Sequence, residues 1–453
     1  MNSKSVLIFT TALAAMATFA DPDSPQATLV SVTQSQSMRE VIATYTLDEP
    51  AIITFDVKTN GVSIGAANFG EVCGDVYRVV QPTEQGEVRT ICWAAERACK
   101  GKQLAAGSVT FEVNAYATNS PPDYMVISLT TNDGYPFGTR TYYTAPEQLP
   151  GEGGVTNRKY KTDYLVMRRI PAKNAIFPMG YIGFETAHAP YHRVKLTNDF
   201  YMAVYELTRG QYKNIRGENC SLSWIDPAEG DFYQQRGLIA AQGTAYAADQ
   251  TVPVPQQRYT SFRGSTKTWQ TDGHDIDSGC ELQTFRTVLG IPTLDLPTDA
   301  EWEFACRAGT SGDRFNGTTA GSVPNGIAWA LSNTPKIEGA TKPLPQEVGL
   351  LLPNPFGLYD IFGNVPEICL DYYNEGAAFA AHNPDTAGEP VVAPSGASTD
   401  KNGNAGNSSA IHIVRGGGVW NGDDACAAWA RSYNQRGASS NEPIFGYRLV
   451  CLP

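Results

Sequence analysis

The sequence lacks several features that mark common functional classes. Its 453 residues contain no Cys-x-x-Cys pair and only five scattered histidines, which argues against a zinc site. After the first twenty residues no apolar run approaches 18 residues, so no membrane-spanning helix is expected. The formal net charge of −12 argues against nucleic acid as a partner, because phosphate binding requires a basic surface. No nucleophile elbow, phosphate-binding loop or paired-carboxylate motif stands out.

The first twenty residues have the pattern of a secretory signal. Lys4 provides the positive charge, residues 6–17 the short apolar stretch, and Thr18-Phe-Ala20 the small-residue cleavage site. We therefore expect residues 1–20 to be a signal peptide and the mature protein to be secreted or periplasmic. Nine cysteines fit such an oxidising compartment, where disulfides persist. Their spacing does not determine the pairing, and an odd total leaves one thiol free unless a bridge forms between chains.

Residues 21–132 have the pattern of an all-β domain. Residues 41–47 and 51–57 are rich in β-branched and aromatic side chains, and Lys58-Thr-Asn-Gly61 is typical of a hairpin turn. Short strands without a helical period between them predict an immunoglobulin- or fibronectin-like β-sandwich. The turn-rich residues 133–160 are predicted to be a linker, with one strand allowed at 139–144.

Residues 161–453 are predicted to form a second domain with few helices. Thr208 is a candidate N-cap. Thr298 and Glu301 have the spacing of a capping box, which predicts a helix through Arg307 that Gly309 closes. Residues 194–201 alternate between polar and apolar positions and are interpreted as one strand.

Five segments of this second domain resemble, in order, the formylglycine-generating enzyme (sulfatase-modifying factor) family over about residues 165–453. They are Phe177-Pro-Met-Gly180, Leu296-Pro-Thr-Asp-Ala-Glu-Trp-Glu-Phe-Ala-Cys-Arg-Ala-Gly309, Gly357-Leu-Tyr-Asp-Ile-Phe-Gly-Asn-Val-Pro-Glu367, Arg415-Gly-Gly-Gly-Val-Trp-Asn-Gly-Asp-Asp-Ala-Cys426 and Phe445-Gly-Tyr-Arg448. The resemblance implies an α+β, C-type-lectin-like fold that is low in regular secondary structure.

The resemblance also implies a copper-dependent oxidation, but the corresponding loop departs from the family. The family converts a cysteine in a sulfatase Cys-x-Pro-x-Arg segment to formylglycine, with oxygen and a copper(I) ion held by two cysteines. Counted from Arg415, the first cysteine position is Asn421 and the second is Cys426. Counted back from Ala430-Arg431, Cys426 matches neither position. A serine of the family is replaced by Gly418. Cys426 is therefore either a structural or disulfide-bonded cysteine, or a catalytic thiol and copper ligand.

A structural calcium site is the second implication of the resemblance. Asp360 and Glu367 would provide carboxylates, and Gly363 and Val365 would provide backbone carbonyls, which are the hard oxygen ligands that calcium prefers. The alternative is a turn with two solvated carboxylates. Pro366 replaces a tryptophan of the family.

Two functional hypotheses follow from these observations. The first is an exported protein whose family domain has lost its copper dithiol and binds a protein or glycan ligand, or has a structural role. The second is an active oxidase that acts on a sulfatase polypeptide, with Cys426 and a distant partner such as Cys369 or Cys451. The fold is common to both hypotheses and does not discriminate between them.

Overall fold

The computed structural model describes residues 24–35, 40–65, 72–95, 109–132, 134–181, 191–217, 249–254, 258–336, 343–374, 389–433 and 445–453. The predicted signal peptide lies outside these ranges. The described chain divides into two compact units. The first contains residues up to Val126 and Arg140–Asn157, and the second contains Ile127–Thr139 and Arg158–Leu452.

The first unit is built from short strands. They are β1 (Ala27–Ser35), β2 (Glu40–Leu47), β3 (Ala51–Thr59), β4 (Val62–Ser63), β5 (Val72–Gly74), β6 (Val79–Val80), β7 (Arg89–Trp93), β8 (Val109–Ala117), and β10 (Arg140–Tyr143), while β9 (Tyr124–Ser128) contributes residues to both units. One antiparallel sheet has the order β1-β2-β7-β5. In the other, β3 pairs antiparallel with β4, β6 and β8. The immunoglobulin- or fibronectin-like sandwich and the domain limits at 132 and 160 remain predictions.

Alternation in β2 shows why this sheet forms where it does. Its residues are alternately buried and half-buried from Glu40 to Leu47, which is the period-2 pattern of a strand with one face in a core. Trp93 and Tyr45 are almost completely buried. Tyr45 donates its hydroxyl to the carbonyl of Asp75 (2.6 Å), so this buried polar atom has a partner.

The second unit combines small sheets with five short helices in its described residues. The strands are β11 (Tyr164–Ile170), β12 (Ile176–Met179), β13 (His192–Lys195), β14 (Phe200–Ala203), β15 (Ala328–Trp329), β16 (Phe362–Gly363), β17 (Glu367–Tyr372), β18 (Val391–Val392), β19 (His412–Arg415), β20 (Ser432–Tyr433) and β21 (Val450–Cys451). The helices in the described part of the chain are α1 (Arg209–Arg216), α2 (Tyr259–Phe262), α3 (Trp269–Asp272), α4 (Glu281–Leu289) and α5 (Asp299–Arg307). None of them is long and apolar enough to cross a bilayer.

Helix α5 begins as the sequence predicts. The Thr298 side chain accepts from the backbone N–H of Glu301 (3.1 Å), and the Glu301 carboxylate accepts from the N–H of Thr298 (2.9 Å), which completes the capping box. The prediction that Gly309 closes the helix was one residue off, because Ala308 takes the left-handed conformation with φ 45°. Helix α1 has a second capping box at Thr208.

The prediction of one continuous strand over residues 194–201 is wrong. The structure has β13 and β14 instead, with a break at residues 196–199. Asp199 explains the break, because its carboxylate accepts from the backbone N–H of Lys173 (2.8 Å) and from Arg169 (2.7 Å). Aspartate is also among the residue types depleted in strands, which favours a break at this position.

Helix α5 and strands β17 and β19 position the family segments around one core. Trp302, Phe362, Cys369, Ile413 and Cys426 belong to the same buried hydrophobic cluster. Antiparallel pairing of β17 with β19 places Glu367 opposite Arg415. Residues 360–367, the calcium-like segment, therefore end beside the start of residues 415–432, the copper-like loop.

Candidate functional site

The loop that follows β19 is fixed at its start by the buried guanidinium of Arg415. Arg415 pairs with Asp299 and with Glu303 (2.9 Å) of helix α5, and also donates to the carbonyls of Ala428 (2.9 Å) and Ala430 (3.2 Å). Burial raises the pKa of Asp299, but the charges of Arg415 and Arg431 more than offset it, so this pKa lies below its ordinary value. The loop is thereby closed onto the helix at both ends.

Glu303 also connects the first family segment to this site. Its Oε1 accepts from the backbone N–H of Gly180 (2.8 Å) and from Arg307 (2.6 Å). Burial raises the pKa of Glu303, but the charges of Arg307 and Arg415 lower it by more than burial raises it. The pKa of this carboxyl therefore also lies below its ordinary value. Three of the sequence segments thus meet in one buried ion-pair network.

Three consecutive glycines allow the loop to pass close to its neighbours. Gly417 has φ +68°, and a Cβ there would lie 3.0 Å from the Ala425 backbone. A Cβ on Gly418 would lie 2.7 Å from Cδ of Pro366 and 3.0 Å from the carbonyl oxygen of Asn364. Real Cβ contacts do not occur at 2.7 Å, so Gly418 and Pro366 are sterically linked.

Arg314 holds the backbone of the middle of the loop. This guanidinium is completely buried. It donates to the carbonyl oxygens of Cys426 (2.6 Å) and Asp423 in the loop, and to those of Ala320 (2.7 Å) and Ser322 (2.9 Å) in its own segment. Arginine suits this position because it presents five donors in a fixed planar geometry. The path of residues 423–426 is therefore held by hydrogen bonds from the Arg314 side chain to main-chain carbonyl oxygens.

Cys426 is a residue of this loop, and it belongs to the buried hydrophobic cluster of the second unit. Its side chain is completely buried, and its backbone N–H donates to the carbonyl of Asp423 (3.3 Å). Burial raises the pKa of the Cys426 thiol to about 12. Burial therefore favours the neutral thiol of Cys426 over the thiolate, which is the form that acts as nucleophile or metal ligand.

A cavity of about 680 Å³ opens beside the loop. It is lined by Tyr181, Asp313, Thr319, Ala320, Gly321, Pro366, Val414, Gly417, Asn421, Asp424, Ala425, Trp429, Ala430, Arg431 and Ser432. No cysteine is among these described residues. The volume falls in the range of small-ligand sites, roughly 300–1,000 Å³. The structure thus brings Asn421 to the cavity and leaves Cys426 outside it.

An aromatic pair and an aspartate form one wall of the cavity. The ring centroids of Tyr181 and Trp429 are 5.0 Å apart. The indole N–H of Trp429 donates to Oδ1 of Asp313 (2.8 Å), and Oδ2 of Asp313 accepts from the N–H of Ala320 (3.0 Å). These hydrogen bonds hold the Trp429 ring in a fixed orientation. Sequence analysis did not identify Tyr181 or Asp313, because neither lies in a recognisable motif.

The calcium-like segment leads directly into the start of strand β17 at Glu367. Asp360 is buried with φ +51°, and its Oδ2 accepts from the N–H of Gly349 (2.6 Å). Its Oδ1 has no hydrogen-bond partner, and burial raises the pKa of Asp360 to about 6. Glu367 accepts from Arg448 (2.6 Å) at Oε1 and from the indole of Trp302 (2.6 Å) at Oε2.

Glu206 is a third buried carboxylate beside this segment. It accepts from the side chain of Asn364 (2.7 Å) and from the backbone N–H of Val365 (3.0 Å). Burial, with the charges of Asp360 and Glu367, raises the pKa of Glu206 well above its ordinary value. The sequence contains no signal for this role, because Glu206 precedes Asn364 by 158 residues.

The donor set of the segment fits a hard cation in part. Asp360 has an unshared buried carboxylate oxygen, and three buried carboxyl groups, Glu206, Asp360 and Glu367, lie beside the buried guanidinium of Arg448. No group of three or more His, Cys, Asp or Glu side chains in the described ranges is placed to hold a metal ion. A cation here would therefore depend on backbone carbonyls as well as on carboxylates.

Comparison with known proteins identifies the second unit. Residues 167–452 match the model of the sulfatase-modifying factor enzyme 1-like domain. The chain is 26% identical to the chaperone protein LppX of Paenibacillus barcinonensis over 42% of its own length and 69% of the relative. It is 25% identical to the mouse formylglycine-generating enzyme over 46% of its length and 58% of the relative.

Among solved structures, Treponema denticola variable protein 1 is similar with a TM-score of 0.38 and 22% identity, over 64% of this chain and 96% of that one. The family model covers more than half of the sequence, and the five segments that resemble the family lie within it or overlap it. The chain therefore belongs to the sulfatase-modifying factor enzyme 1-like family.

Proposed function

We propose that this protein is an exported binding protein whose family domain holds a protein or glycan ligand in the cavity beside the 415–432 loop, without catalysing formylglycine formation. The observation that carries the proposal is the cavity itself, which has the volume of a ligand site and no cysteine among its described lining residues. Tyr181 and Trp429 offer apolar ring faces, and Asp424 and Ser432 add polar groups at exposed positions.

The chemistry of the loop supports a role without copper. Copper(I) prefers soft sulfur ligands, and an asparagine amide does not replace a thiolate. Asn421 lines the cavity, while Cys426 is buried as a neutral thiol. The distant cysteines considered as partners are also buried, and Sγ of Cys451 contacts Sδ of Met167 (3.8 Å).

The competing proposal is an active sulfatase-modifying oxidase. Family membership and the relatives named formylglycine-generating enzyme favour it. The relative named as a chaperone protein favours the binding role, because a chaperone acts by binding a polypeptide. Mass spectrometry of a Cys-x-Pro-x-Arg peptide incubated with the protein, copper and oxygen discriminates between the two. We expect an unchanged peptide, and formation of an aldehyde that Cys426→Ser abolishes would establish the oxidase.

We further propose that calcium stabilises the second unit at the calcium-like segment. Asp360 and Glu367 would provide carboxylate oxygens, and Gly363 and Val365 would provide carbonyl oxygens. The free Oδ1 of Asp360 and the clustering of three buried carboxyl groups support this assignment. The ion would neutralise negative charge on these carboxyl groups and hold the start of β17 in place.

An immunoglobulin- or fibronectin-like sandwich that precedes this unit in the sequence completes the proposed architecture.

Binding at the cavity is tested with a variant that narrows it. Thr319 is an exposed lining residue, so Thr319→Trp places a large ring at the opening without disturbing the core. Thr287→Trp, on an exposed position of helix α4, is the matched control. Wild-type protein is screened on peptide and glycan arrays, and each hit is measured again with both variants.

We expect Thr319→Trp to lose at least tenfold in affinity for a true ligand and Thr287→Trp to retain it. Equal affinities for the wild type and Thr319→Trp would place binding elsewhere and overturn the proposal. A hit on the peptide array alone or the glycan array alone decides the class of ligand.

A further inference from the structure

Two cysteines of the first unit lie directly opposite each other in a sheet. In the antiparallel pairing of β5 with β7, Cys73 is the partner of Cys92. Opposite residues of antiparallel strands have Cα atoms about 4.5–5.5 Å apart. Disulfides span Cα separations of about 4.4–6.8 Å. The backbone therefore already holds these two residues at a distance that a disulfide bridges.

The side chains are also close to each other. Both residues are thiols in this structure. Burial raises the pKa of the Cys92 thiol, and the neighbouring Cys73 raises it further through its charge and a hydrogen bond. A hydrogen bond between the side chains requires the two sulfurs to approach each other, in agreement with the strand register.

Accessibility separates this pair from the other described cysteines. Cys73 is exposed and Cys92 is half-buried. Cys280, Cys306, Cys369, Cys426 and Cys451 are all buried. Cys99 and Cys220 lie outside the described residues. An oxidant in solution therefore reaches Cys73 before any of the buried thiols.

We propose that Cys73 and Cys92 form a cross-strand disulfide when the protein meets an oxidising environment. The oxidant is a small-molecule disulfide of the glutathione type. The Cys73 thiolate attacks one sulfur of that disulfide, which forms a mixed disulfide and releases one glutathione thiolate. The Cys92 thiolate then attacks the Cys73 sulfur and releases the second. The protein loses two protons and two electrons, and the glutathione disulfide is reduced to two thiols.

The bridge has a structural role at the edge of the sheet. Strand β5 has three residues and is the last strand in the order β1-β2-β7-β5. A short edge strand separates easily from its neighbour because only one side is paired. A covalent link from Cys73 to Cys92 keeps β5 attached to β7. The inference is independent of the ligand site in the second unit.

The experiment equilibrates the full chain with oxidised glutathione, blocks remaining thiols with iodoacetamide and digests with trypsin. Cleavage after lysine and arginine places Cys73 in residues 59–78, Cys92 in 90–97 and Cys99 in 98–100. We expect one species that joins residues 59–78 to 90–97 and disappears on reduction. Cys99→Ser should retain this species, whereas Cys73→Ser should lose it and leave Cys92 either alkylated or in a mixed disulfide with glutathione.

Two outcomes would overturn the inference. One is a species that joins residues 98–100 to either of the other peptides as the main product in the wild type. The other is full alkylation of both Cys73 and Cys92 at a glutathione disulfide excess that oxidises a model dithiol. A folded-state check by circular dichroism on each serine variant ensures that loss of the species reflects loss of the thiol.

Discussion

At the scale of single residues, Gly418 and Pro366 are coupled. The family has a serine and a tryptophan at these positions, and this chain has neither. The structure links these two departures from the family, because a Cβ at position 418 would collide with Cδ of Pro366. A side chain at position 418 is therefore disfavoured while proline occupies position 366.

Gly418→Ser should destabilise the second unit by about 1–3 kcal/mol, the usual cost of forcing extra atoms into a packed site. Gly418→Ser combined with Pro366→Ala should recover part of that loss, since the carbonyl of Asn364 still restricts the site. Urea unfolding measures each free energy. Gly321→Ser is the control, because a Cβ there meets nothing within 4 Å. Equal stability of Gly418→Ser and the wild type would refute the coupling.

Asp371 predicts a pH dependence of stability. It is buried in β17 and accepts from the N–H of Asp299 (2.6 Å). Burial and the charge of Asp299 raise the pKa of Asp371 to about 7, above the unfolded value of about 3.9. The folded state thus holds the proton more tightly, and this contribution to stability is lost as pH rises from about 4 through 7.

Asp371→Asn should remove this contribution because asparagine stays neutral at all pH values. We expect the variant to gain stability relative to the wild type between pH 5 and pH 8, by at most about 1.4 kcal/mol per pH unit. Urea unfolding at several pH values measures the difference. Parallel curves for the two proteins would show that Asp371 does not titrate in this range.

At the scale of elements, the calcium-like segment provides a test of ligand-linked stability. A ligand that binds only the folded state stabilises it by about 2.7 kcal/mol at a hundredfold excess over Kd. Because extracellular sites bind calcium at roughly 10⁻⁴–10⁻³ M, millimolar calcium should raise the melting temperature relative to chelator. Asp360→Ala should abolish the difference, while Asp424→Ala, which changes an exposed carboxylate, should keep it. Identical wild-type melts with calcium and with chelator would exclude the site.

Local sequence signals located some elements and not others. The capping box at Thr298 was predicted because its partner Glu301 lies three residues on, and Thr208 was predicted as an N-cap, which the structure completes to a capping box with Gln211. Helix α4 was not predicted, since its N-cap Cys280 makes no side-chain cap hydrogen bond. Leu282, Phe285 and Leu289 were the available signal, because they repeat at helical spacing and are buried.

Candidate site residues divide along the same line. Motif resemblance located Asp360, Glu367 and the loop around Asn421, because the family preserves their order in the chain. Glu206 and Asp313 act through partners more than a hundred residues away, at Asn364 and Trp429. Contacts of that separation leave no periodic pattern in one sequence. Only the folded chain shows that they belong to the sites.

At the scale of the whole molecule, the division into units makes a prediction about fragments. The sequence places a linker at residues 133–160, and the compact units assign Ile127–Thr139 to the second unit. Within that unit the N–H of Leu129 donates to the carbonyl of Asp163 (2.8 Å). A fragment that begins at residue 161 loses this contact and the rest of the segment.

We expect a fragment of residues 127–453 to unfold at higher urea than a fragment of residues 161–453. Limited proteolysis of the full chain shows where the linker is cut, and urea unfolding compares the two recombinant fragments. If the shorter fragment is as stable as the longer one, residues 127–160 contribute nothing to the stability of the second unit. Cleavage scattered through both units would contradict the predicted linker.

The main-chain anchor at Arg314 has a consequence for the history of this protein. Because the guanidinium donates to the carbonyl oxygens of Asp423 and Cys426, it holds residues 423–426 without using the exposed side chain of Asp424. Substitutions at position 424 can therefore accumulate at little cost to the path of the loop. Descendants of one ancestral chain would then differ in what they recognise while sharing a single scaffold.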